Sequence, residues 1–373
     1  MKFTIYRDEI YEALQKVVGI IPQRSTIAMT QNVRLTAEGD QLELTATDLE
    51  ITVVSTVTAE IEEEGGIALP GRLIHDIIRE LPNGPLVFTG SPNYRLELRS
   101  ELGEYKIGGE NPAEFPQKPQ LDNLKEIVLP NDVLRRLIDK TIFACSTDEL
   151  RPALTGVFFE IGNKAIQTVA TDGHRLALLK YQDDNLPEEE LNAIISPRAL
   201  NFALRNLEGD GMTALMLGDK HALFHMNNTR LFARLIDEVY VDYRRVLPEE
   251  TNFQMTVDTN AFLASVRRVS LFSNPISAQV ILSITGDRLQ VQAQDEDFGG
   301  EAREEIPCEF NGEEFVIGFN SRYLQDMLRH IDAPQLVMRF VRPDFAVLTQ
   351  PADAPENEEQ LMLLMPVRLE NVD

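Results

Sequence analysis

The sequence repeats itself at long intervals, and this feature constrains the fold more than any other. The segments "LELTATD", "IQTVATD" and "LQVQAQD" end at Asp48, Asp172 and Asp295, and are therefore spaced by 124 and 123 residues. Each segment alternates apolar and polar residues as a β-strand does. Alanine also recurs two residues before each aspartate, at Ala46, Ala170 and Ala293. A period this long predicts duplicated domains rather than the short stacked turns of a solenoid.

A second element recurs with the same period and predicts an amphipathic helix in each copy. Its three versions are "GRLIHDIIREL", "PRALNFALRNL" and "SRYLQDMLRHI". Helical spacing places one set of apolar residues on a core-facing side in each copy: Ile74, Ile77, Ile78 and Leu81; Leu200, Ala203, Leu204 and Leu207; Leu324, Met327, Leu328 and Ile331. Pro197 suits a first helical turn, and Asn320 or Ser321 suits an N-cap.

A third element opens each copy with a short strand, a polar residue and a helix. The candidate caps are Asp8, Asn131 and Asn260. Alternating stretches with Pro, Asn and Gly turns lie between the helices and predict β-hairpins. The fold class is therefore α+β, with two helices and about eight mainly antiparallel strands per copy. Polar segments around residues 111–126 and 247–252 give predicted domains 1–124, 125–250 and 251–373.

Length and composition exclude several classes of protein. The 373 residues suit two or three domains, and 43% of them are hydrophobic, which is enough for real cores. No apolar stretch reaches the roughly 18 residues of a membrane span. The charged start "MKFTIYRDEI" does not resemble a signal peptide, and two distant cysteines, Cys145 and Cys308, give no disulfide framework. We therefore expect a cytoplasmic protein with no membrane partner.

The second predicted helix of each copy carries two arginines seven residues apart. The pairs are Arg72 with Arg79, Arg198 with Arg205, and Arg322 with Arg329. Seven residues are nearly two helical turns, so both members of a pair lie on one face. That face is opposite the apolar residues, so the guanidinium groups are predicted to point away from the core.

Positive and negative charges are distributed unevenly along the chain. The whole chain carries −25, whereas the six predicted helices together carry +5, which leaves −30 for strands and loops. One interpretation is ordinary solvated helix faces, since arginine is a good helix former. The other is a row of guanidinium groups that faces a phosphate backbone. The chain has no Trp, and no aromatic platform interrupts the arginines, which favours contact with a duplex backbone over stacking on single-stranded nucleic acid.

The stretch "TVATDGHRLALLK" places Asp172, His174 and Arg175 close together. A catalytic interpretation finds little support, because the sequence has no G-x-S-x-G elbow, no P-loop and no zinc-ligand spacing. We therefore predict no enzyme activity, metal or cofactor. Gly173, His174 and Arg175 belong to the middle copy alone, which indicates a local binding site. The alternative is a histidine that only completes a turn.

The tail "QLMLLMPVRLENVD" is apolar for a terminal segment. As a final strand it would present Met365, Val367 and Leu369 on one side. Docked beside the turn at residues 172–175, it would form a small apolar groove for short peptides.

Four motifs, "ATDGHRLAL", "DYRRVLP", "IGFN" and "LMPVRL", resemble those of the bacterial DNA polymerase III beta subunit family, the sliding clamps. The resemblance extends from the first residues to Leu369. It implies three similar domains per chain and a head-to-tail ring of two chains, with six domains around duplex DNA. It also implies a non-catalytic processivity factor of the bacterial cytoplasm. The implied partners are the polymerase III catalytic subunit, the clamp loader and other proteins with short clamp-binding motifs.

The resemblance also assigns residues. The implied peptide-binding groove comprises Leu154, Thr171, Gly173, His174, Arg175, Leu176, Arg245, Val246, Asn320, Met365, Pro366, Val367, Arg368 and Leu369. The implied DNA-facing groups are Arg24, Arg72 and Arg198. The implied subunit contact comprises Tyr105, Ile107, Leu271 and Phe272. Val241 stands where the family often has proline, and "ENVD" follows Leu369, so both positions bear on the shape of the groove and its choice of partner.

Two alternatives belong to other functional classes. An acidic scaffold could bind peptides without touching DNA, but it would have no need of repeated arginine pairs on one helix face. An enzyme with an unrecognised site would reveal itself by nucleotide hydrolysis or bound metal.

Overall fold

The computed structural model describes residues 1–295 and 299–369, and within them it contains six α-helices and 25 β-strands. The first sequence repeat forms β1 (Lys2–Tyr6), α1 (Arg7–Val18), β2 (Asn32–Glu38), β3 (Gln41–Thr47), β4 (Ile51–Thr58), β5 (Glu60–Glu63), β6 (Gly65–Pro70), α2 (Gly71–Glu80), β7 (Pro85–Gly90), β8 (Arg95–Ser100) and β9 (Gly103–Gly108).

The second and third repeats follow the same order of elements, with four strands instead of five between their two helices. The second forms β10 (Lys125–Pro130), α3 (Asn131–Ile142), β11 (Val157–Gly162), β12 (Ala165–Thr171), β13 (Arg175–Gln182), β14 (Leu191–Ile195), α4 (Pro197–Asn206), β15 (Met212–Leu217), β16 (His221–Met226) and β17 (Thr229–Arg234). The third forms β18 (Phe253–Asp258), α5 (Thr259–Val269), β19 (Gln279–Thr285), β20 (Arg288–Asp295), β21 (Gly300–Phe310), β22 (Glu314–Asn320), α6 (Ser321–Arg329), β23 (Gln335–Phe340), β24 (Val347–Pro351) and β25 (Glu358–Leu364). The predicted α+β class and triplicate plan are confirmed.

The chain divides into two compact units. The first unit comprises Met1–Asp132 and Arg198–Leu235. It holds a five-stranded sheet in the order β5-β1-β7-β8-β9 and an eight-stranded sheet in the order β10-β15-β16-β17-β4-β3-β2-β6. The second unit comprises Val133–Pro197 and the chain from Ile236 onward, with a twelve-stranded sheet in the order β14-β11-β12-β13-β25-β24-β23-β18-β21-β20-β19-β22.

The eight-stranded sheet of the first unit and the twelve-stranded sheet of the second each join strands from two sequence repeats. In the first unit β17 pairs with β4, so that Leu231 lies opposite Val53. In the second unit β25 pairs with β13 in the same way, and Met362 lies opposite Ala177. Main-chain hydrogen bonds therefore link successive repeats at these two strand pairings, which we call joints. The paired strands avoid the free edges that isolated sheets expose.

The helices carry the predicted apolar faces with small differences. Of the twelve predicted core positions, Ile77 and Leu204 are half-buried and the others are buried. Phe202 on α4 is also buried, although the sequence pattern did not select it. No helix in the described ranges is long and apolar enough to cross a membrane.

Helix caps were predicted with mixed success. Asn320 is an N-cap whose side chain accepts hydrogen bonds from the amides of Arg322 and Tyr323 at 3.0 and 3.4 Å, and α4 begins at Pro197 as expected. The prediction of Asp8 as a cap was wrong, because β1 runs directly into α1 and the carboxylate lies in its first turn.

Asn260 was also wrong as a cap. Asp258 takes that position, because its carboxylate reaches the amide of Ala261 at 2.7 Å. One carboxylate at the end of a strand thus satisfies an amide that the helix leaves unpaired.

We predict that Val53→Ala lowers the free energy of unfolding by about 2 kcal/mol, since it removes two methyl groups from a closely packed joint. Val53 is fully buried, with 0% of its surface exposed. Val128→Ala is the matched control, because Val128 lies in the same eight-stranded sheet and is 50% exposed. Urea denaturation of both variants measures the difference. Equal losses would contradict the importance of the joint.

Candidate functional site

The turn between β12 and β13 is built by Asp172 rather than by a catalytic pair. Its Oδ1 accepts hydrogen bonds from the amides of His174 and Arg175 at 2.8 and 3.0 Å. Thr171 closes the same turn, because its hydroxyl donates to the carbonyl of Arg175 at 2.6 Å. Oδ1 of Asp172 is thus occupied by backbone amides, and the imidazole of His174 is left at the surface.

Gly173 occupies the one position in this turn that requires glycine. Its φ of +91° lies in the left-handed region, where a side chain is strained. A Cβ at this position would also lie 3.3 Å from Nη1 of Arg151. The turn therefore presents bare backbone beside His174.

Arg175 lies beneath the turn and holds it against α6. It is only 9% exposed, and its guanidinium donates to Asp172, Asp326 and the carbonyl of Phe143 at 3.1, 2.7 and 2.8 Å. The same group stacks on the ring of Tyr323 at 4.6 Å. A buried cation with this many partners is satisfied internally. Arg175 therefore supports the candidate groove from below.

The apolar tail docks beside this turn, although not as the strand that its sequence suggested. β25 ends at Leu364, and only isolated main-chain bonds follow. The amide of Met365 donates to the carbonyl of His174 at 2.9 Å, and the amide of Val367 donates to the carbonyl of Gly318 at 2.9 Å. The tail therefore lies beside the turn, as predicted. The prediction that it forms a final strand was wrong, because Pro366 has no amide hydrogen to donate to a neighbouring strand.

Gly318 makes room for the end of the tail. A Cβ added there would lie 2.5 Å from Cδ2 of Leu369 and 3.2 Å from Cγ2 of Val367. The side chains of Val367 and Leu369 thus pack down onto β22, whereas Met365 is 40% exposed. Val367 and Leu369 thus dock the tail, and Met365 is displayed at the surface. The segment "ENVD" lies outside the described residues.

The remaining groove candidates separate into a buried floor and an exposed rim. Leu154, Thr171 and Leu176 are buried; the two leucines belong to an apolar cluster with Tyr240, Ala346 and Leu363. The exposed members are Gly173, His174, Arg245, Val246, Met365 and Arg368, and the half-buried ones are Asn320, Pro366, Val367 and Leu369. All fourteen candidates lie in the second compact unit.

Two tyrosines at this site were missed by sequence reasoning. Tyr323 stacks on His174 with ring centroids 5.9 Å apart, and Tyr240 stacks on Phe158 at 4.7 Å. Tyr323 stands three residues after Asn320 at the start of α6, so the motif "IGFN" pointed to its neighbourhood without identifying it. Val241 is 44% exposed beside Tyr240.

Cys145 offers no nucleophile near this turn. Burial raises the pKa of its thiol to about 12, against a smaller lowering effect of Arg175. The neutral thiol is therefore the form present near pH 7, and only a thiolate attacks or binds metal. Across 1–295 and 299–369 the structure contains no group of three His, Cys, Asp or Glu side chains placed to hold a metal ion.

The arginine pairs are exposed in every copy, as predicted. In the first compact unit Arg24, Arg72, Arg79, Arg198 and Arg205 are all exposed. Arg72 donates to the carbonyl of Ile21 at 3.0 Å, and Arg198 forms an ion pair with Asp48. In the second unit Arg322 donates to the carbonyl of Pro275 at 2.8 Å, and Arg329 pairs with Asp326 at 3.0 Å.

The four residues of the implied subunit contact differ in exposure. Leu271 and Phe272 follow α5 and are 82% and 45% exposed. Tyr105 is half-buried on β9. Ile107 is only 4% exposed, because its side chain turns into the core of its own sheet. The implied contact thus consists of an exposed apolar pair, Leu271 and Phe272, and of two residues on the edge strand β9.

Three family models match the chain in succession. They describe the N-terminal, central and C-terminal domains of the DNA polymerase III beta subunit, at residues 1–119, 128–242 and 244–368. Curated relatives agree along the full length. The beta sliding clamps of Caulobacter vibrioides and Pseudomonas aeruginosa are 33% and 32% identical, each over 99% of this chain and 100% of the relative.

Solved structures show the same fold. A sliding clamp from Pseudomonas aeruginosa bound to griselimycin superimposes with a TM-score of 0.93 at 30% identity, over 99% of this chain and 100% of that one. The sliding clamp of Bacillus subtilis gives a TM-score of 0.94 at 27% identity with the same coverage.

We predict that Gly318→Val displaces the tail, because the added side chain would overlap Leu369 and Val367. The amide of Val367 should then exchange its hydrogen at least tenfold faster, which mass spectrometry can measure. Gly84→Val is the control, since no atom lies within 4 Å of a Cβ at Gly84. Unchanged protection at Val367 would mean that the tail does not depend on Gly318.

Proposed function

The chain belongs to the DNA polymerase III beta subunit family, the beta sliding clamps, and we propose that two copies close head to tail into a ring around duplex DNA. It is a processivity factor of DNA replication and not an enzyme. The single observation that carries the proposed DNA contact is the exposed arginine pair on the second helix of all three repeats.

The proposed mechanism is topological. A closed ring stays on DNA without binding it tightly, so it has no need to recognise bases. Attraction between phosphates and Arg24, the three arginine pairs and their neighbours is non-directional, which centres the duplex and permits sliding. The −30 charge outside the helices repels DNA from the remaining surfaces.

The proposed groove tethers other proteins to the ring. An incoming apolar side chain would lie against His174, Met365 and Val246 over the floor of Leu154 and Leu176. The occupants would be short motifs of the polymerase catalytic subunit, the clamp loader and other DNA-processing proteins. Weak binding is sufficient, because attachment to a ring on DNA raises the effective concentration of the enzyme at its substrate.

We further propose that the domains extend over residues 1–124, 125–250 and 251–373 and that the protein works in the bacterial cytoplasm. The recurring order of elements supports these limits, since each domain begins at or shortly before a strand that leads directly into a helix: β1, β10 or β18. The location follows from the proposed role in replication.

We predict that Arg72→Glu, Arg198→Glu and Arg322→Glu together lower retention on nicked circular DNA at least tenfold, because three charges per chain are reversed at the proposed DNA surface. Retention is measured by gel filtration after loading. A variant with Arg95, Arg288 and Arg342 changed to Glu carries the same charge change at exposed residues on strands and loops. An equal loss of retention in both variants would show that the arginines of the second helices do not form the DNA contact.

We also predict that His174→Ala with Met365→Ala weakens binding of a clamp-motif peptide at least tenfold and leaves the dimer intact. The two side chains form the exposed rim where turn and tail meet. His225→Ala with Met212→Ala is the matched control, because both of those residues are exposed in the eight-stranded sheet. Fluorescence titration of a labelled peptide checks the prediction, and undiminished binding by the first variant would refute the groove.

A further inference from the structure

Asp326 on α6 binds two arginines, one with each oxygen of its carboxylate. Oδ2 accepts a hydrogen bond from Nη1 of Arg175 at 2.7 Å, and Oδ1 accepts one from Nη1 of Arg329 at 3.0 Å. Arg175 lies beneath the turn at residues 172–175, and Arg329 belongs to the arginine pair of α6 that we assign to the DNA contact. One carboxylate thus connects the candidate groove with the proposed DNA surface.

The two arginines differ in how firmly they are held. The side chain of Arg175 is 10% exposed and has further partners in the turn and below it. The side chain of Arg329 is 44% exposed, and its guanidinium donates to the carboxylate of Asp326 and to the side-chain oxygen of Gln325. Of the two arginines, Arg329 is therefore the one that a phosphate can reach and draw away from the carboxylate.

The same helix also carries an aromatic wall of the groove. Tyr323 stacks on the ring of His174 with centroids 5.9 Å apart, and its ring lies 4.6 Å from the guanidinium carbon of Arg175. Residues three apart are neighbours on a helix surface, so Tyr323 lies beside Asp326, and Asp326 lies beside Arg329. The groove and the proposed DNA surface thus share one helix of nine residues.

An aspartate stands three residues before the second arginine of α2 as well as of α6. Asp76 pairs with Arg79 at 3.0 Å, just as Asp326 pairs with Arg329 at 3.0 Å. The ion-pair partners of Asp76 lie on its own helix, whereas Asp326 also reaches the turn of the preceding repeat through Arg175. The two helices therefore carry the same local pair, and α6 alone of these two connects it to the candidate groove.

We propose that Asp326 is a positioning residue that couples the two sites, so that DNA in the ring tightens the binding of a peptide in the groove. In the coupled state, Arg329 exchanges the carboxylate for a DNA phosphate, and Asp326 keeps Arg175 alone. The proposal rests on the proposed function, because it requires a duplex at the arginines of α6 and a peptide beside the turn.

The direction of the coupling follows from the charges. Two guanidinium groups at one carboxylate repel each other, so each weakens the hold of the carboxylate on the other. When a phosphate draws Arg329 away, the attraction between Asp326 and Arg175 is no longer shared. Arg175 then holds the turn more firmly, and a groove whose rim is already ordered loses less entropy when a peptide binds.

The coupling must act in both directions. If the duplex raises the affinity of the chain for the peptide by some factor, the peptide raises its affinity for the duplex by the same factor. We expect a factor of about three, because an ion pair that is open to solvent contributes little energy. Salt should reduce the factor, since it screens exposed charges. Partner proteins would therefore favour rings that enclose DNA over free rings.

Titration of a labelled clamp-motif peptide into the purified dimer, with and without a saturating short duplex, measures the coupling factor. In the parent, we expect the peptide to bind about threefold more tightly with duplex than without it. Asp326→Asn should bind the peptide equally in both conditions, because the shared carboxylate is gone. A factor that persists in Asp326→Asn would overturn the proposal.

Asp76→Asn is the matched control for this experiment. It removes the corresponding ion pair on α2 and makes the same change of charge, but Asp76 has no connection to the turn at residues 172–175 through Arg175. Its coupling factor should stay at about three, as in the parent. Loss of the factor in both variants would show that net charge, and not the position of Asp326, produces the coupling.

Arg329→Gln tests the direction of the coupling by a second route. It removes the exposed arginine from the carboxylate permanently, so the peptide should bind about threefold more tightly even without DNA, and added duplex should bring no further gain. A merely structural role of this ion pair would not produce a gain in affinity. Weaker or unchanged peptide binding by Arg329→Gln would overturn the proposal.

Arg288→Gln is the control for the lost positive charge. Arg288 is exposed in the same compact unit and pairs with Glu305 at 3.3 Å, so the substitution also breaks an ion pair between exposed side chains. Its affinity for the peptide without DNA should equal that of the parent. A gain equal to that of Arg329→Gln would mean that any lost arginine has this effect, and would overturn the role of Asp326.

The outcomes separate this proposal from the proposed function. A parent that binds both the duplex and the peptide, but with a coupling factor of one, would overturn the coupling and leave the clamp function in place. A parent that binds no duplex would overturn the proposed DNA contact and the coupling with it. If Asp326→Asn fails to fold, the exposed substitution Arg329→Gln decides the question alone.

Discussion

Main-chain hydrogen bonds between strands of different repeats are the interaction on which the rest of the structure depends. β4 with β17, and β13 with β25, extend one repeat's sheet into the next. Sheet edges expose unpaired amides and carbonyls, and pairing them across a joint removes that cost without any specific side chain. Because every repeat keeps the same register, each joint inherits its geometry from the repeat itself.

The aspartate that ends the repeated strand has a second role at these joints. Asp48 folds the β3–β4 turn and forms an ion pair with Arg198 on α4. Asp172 folds the β12–β13 turn and reaches α6 indirectly, because Arg175 lies between it and Asp326. The turn of one repeat thus meets the second helix of the next in both cases. Only the second joint adds His174 and the docked tail, which is why the candidate groove lies there.

Electrostatics and topology divide the proposed function between them. A chain with a net charge of −25 would be repelled by DNA if its charges were mixed evenly. The arginines concentrated on the second helices attract the duplex where it would pass through the ring. Enclosure keeps the ring on DNA, whereas attraction strong enough to do so alone would stop the ring from sliding. The same exposed arginines keep intramolecular partners, such as Asp326 for Arg329, so their positions are set before any phosphate arrives.

The sequence by itself determined the features that depend on local spacing. The helix faces around Leu324 and Met327 and the exposed arginine pairs follow from the helical period of 3.6 residues. The repeats follow from segments that recur every 123–124 residues, and the Asn320 cap follows from the residue type at the start of the helix. The apolar character of the tail also predicted that it docks beside the turn at residues 172–175. Tertiary structure alone decided which strands pair across repeats, because the backbone groups that form the ladders are the same at every residue except proline and do not identify a partner strand. It also decided that Arg175 is buried beneath the turn, since the atoms that satisfy its charge come from Phe143, Tyr323 and Asp326, which are distant in sequence and adjacent only once the sheet has formed.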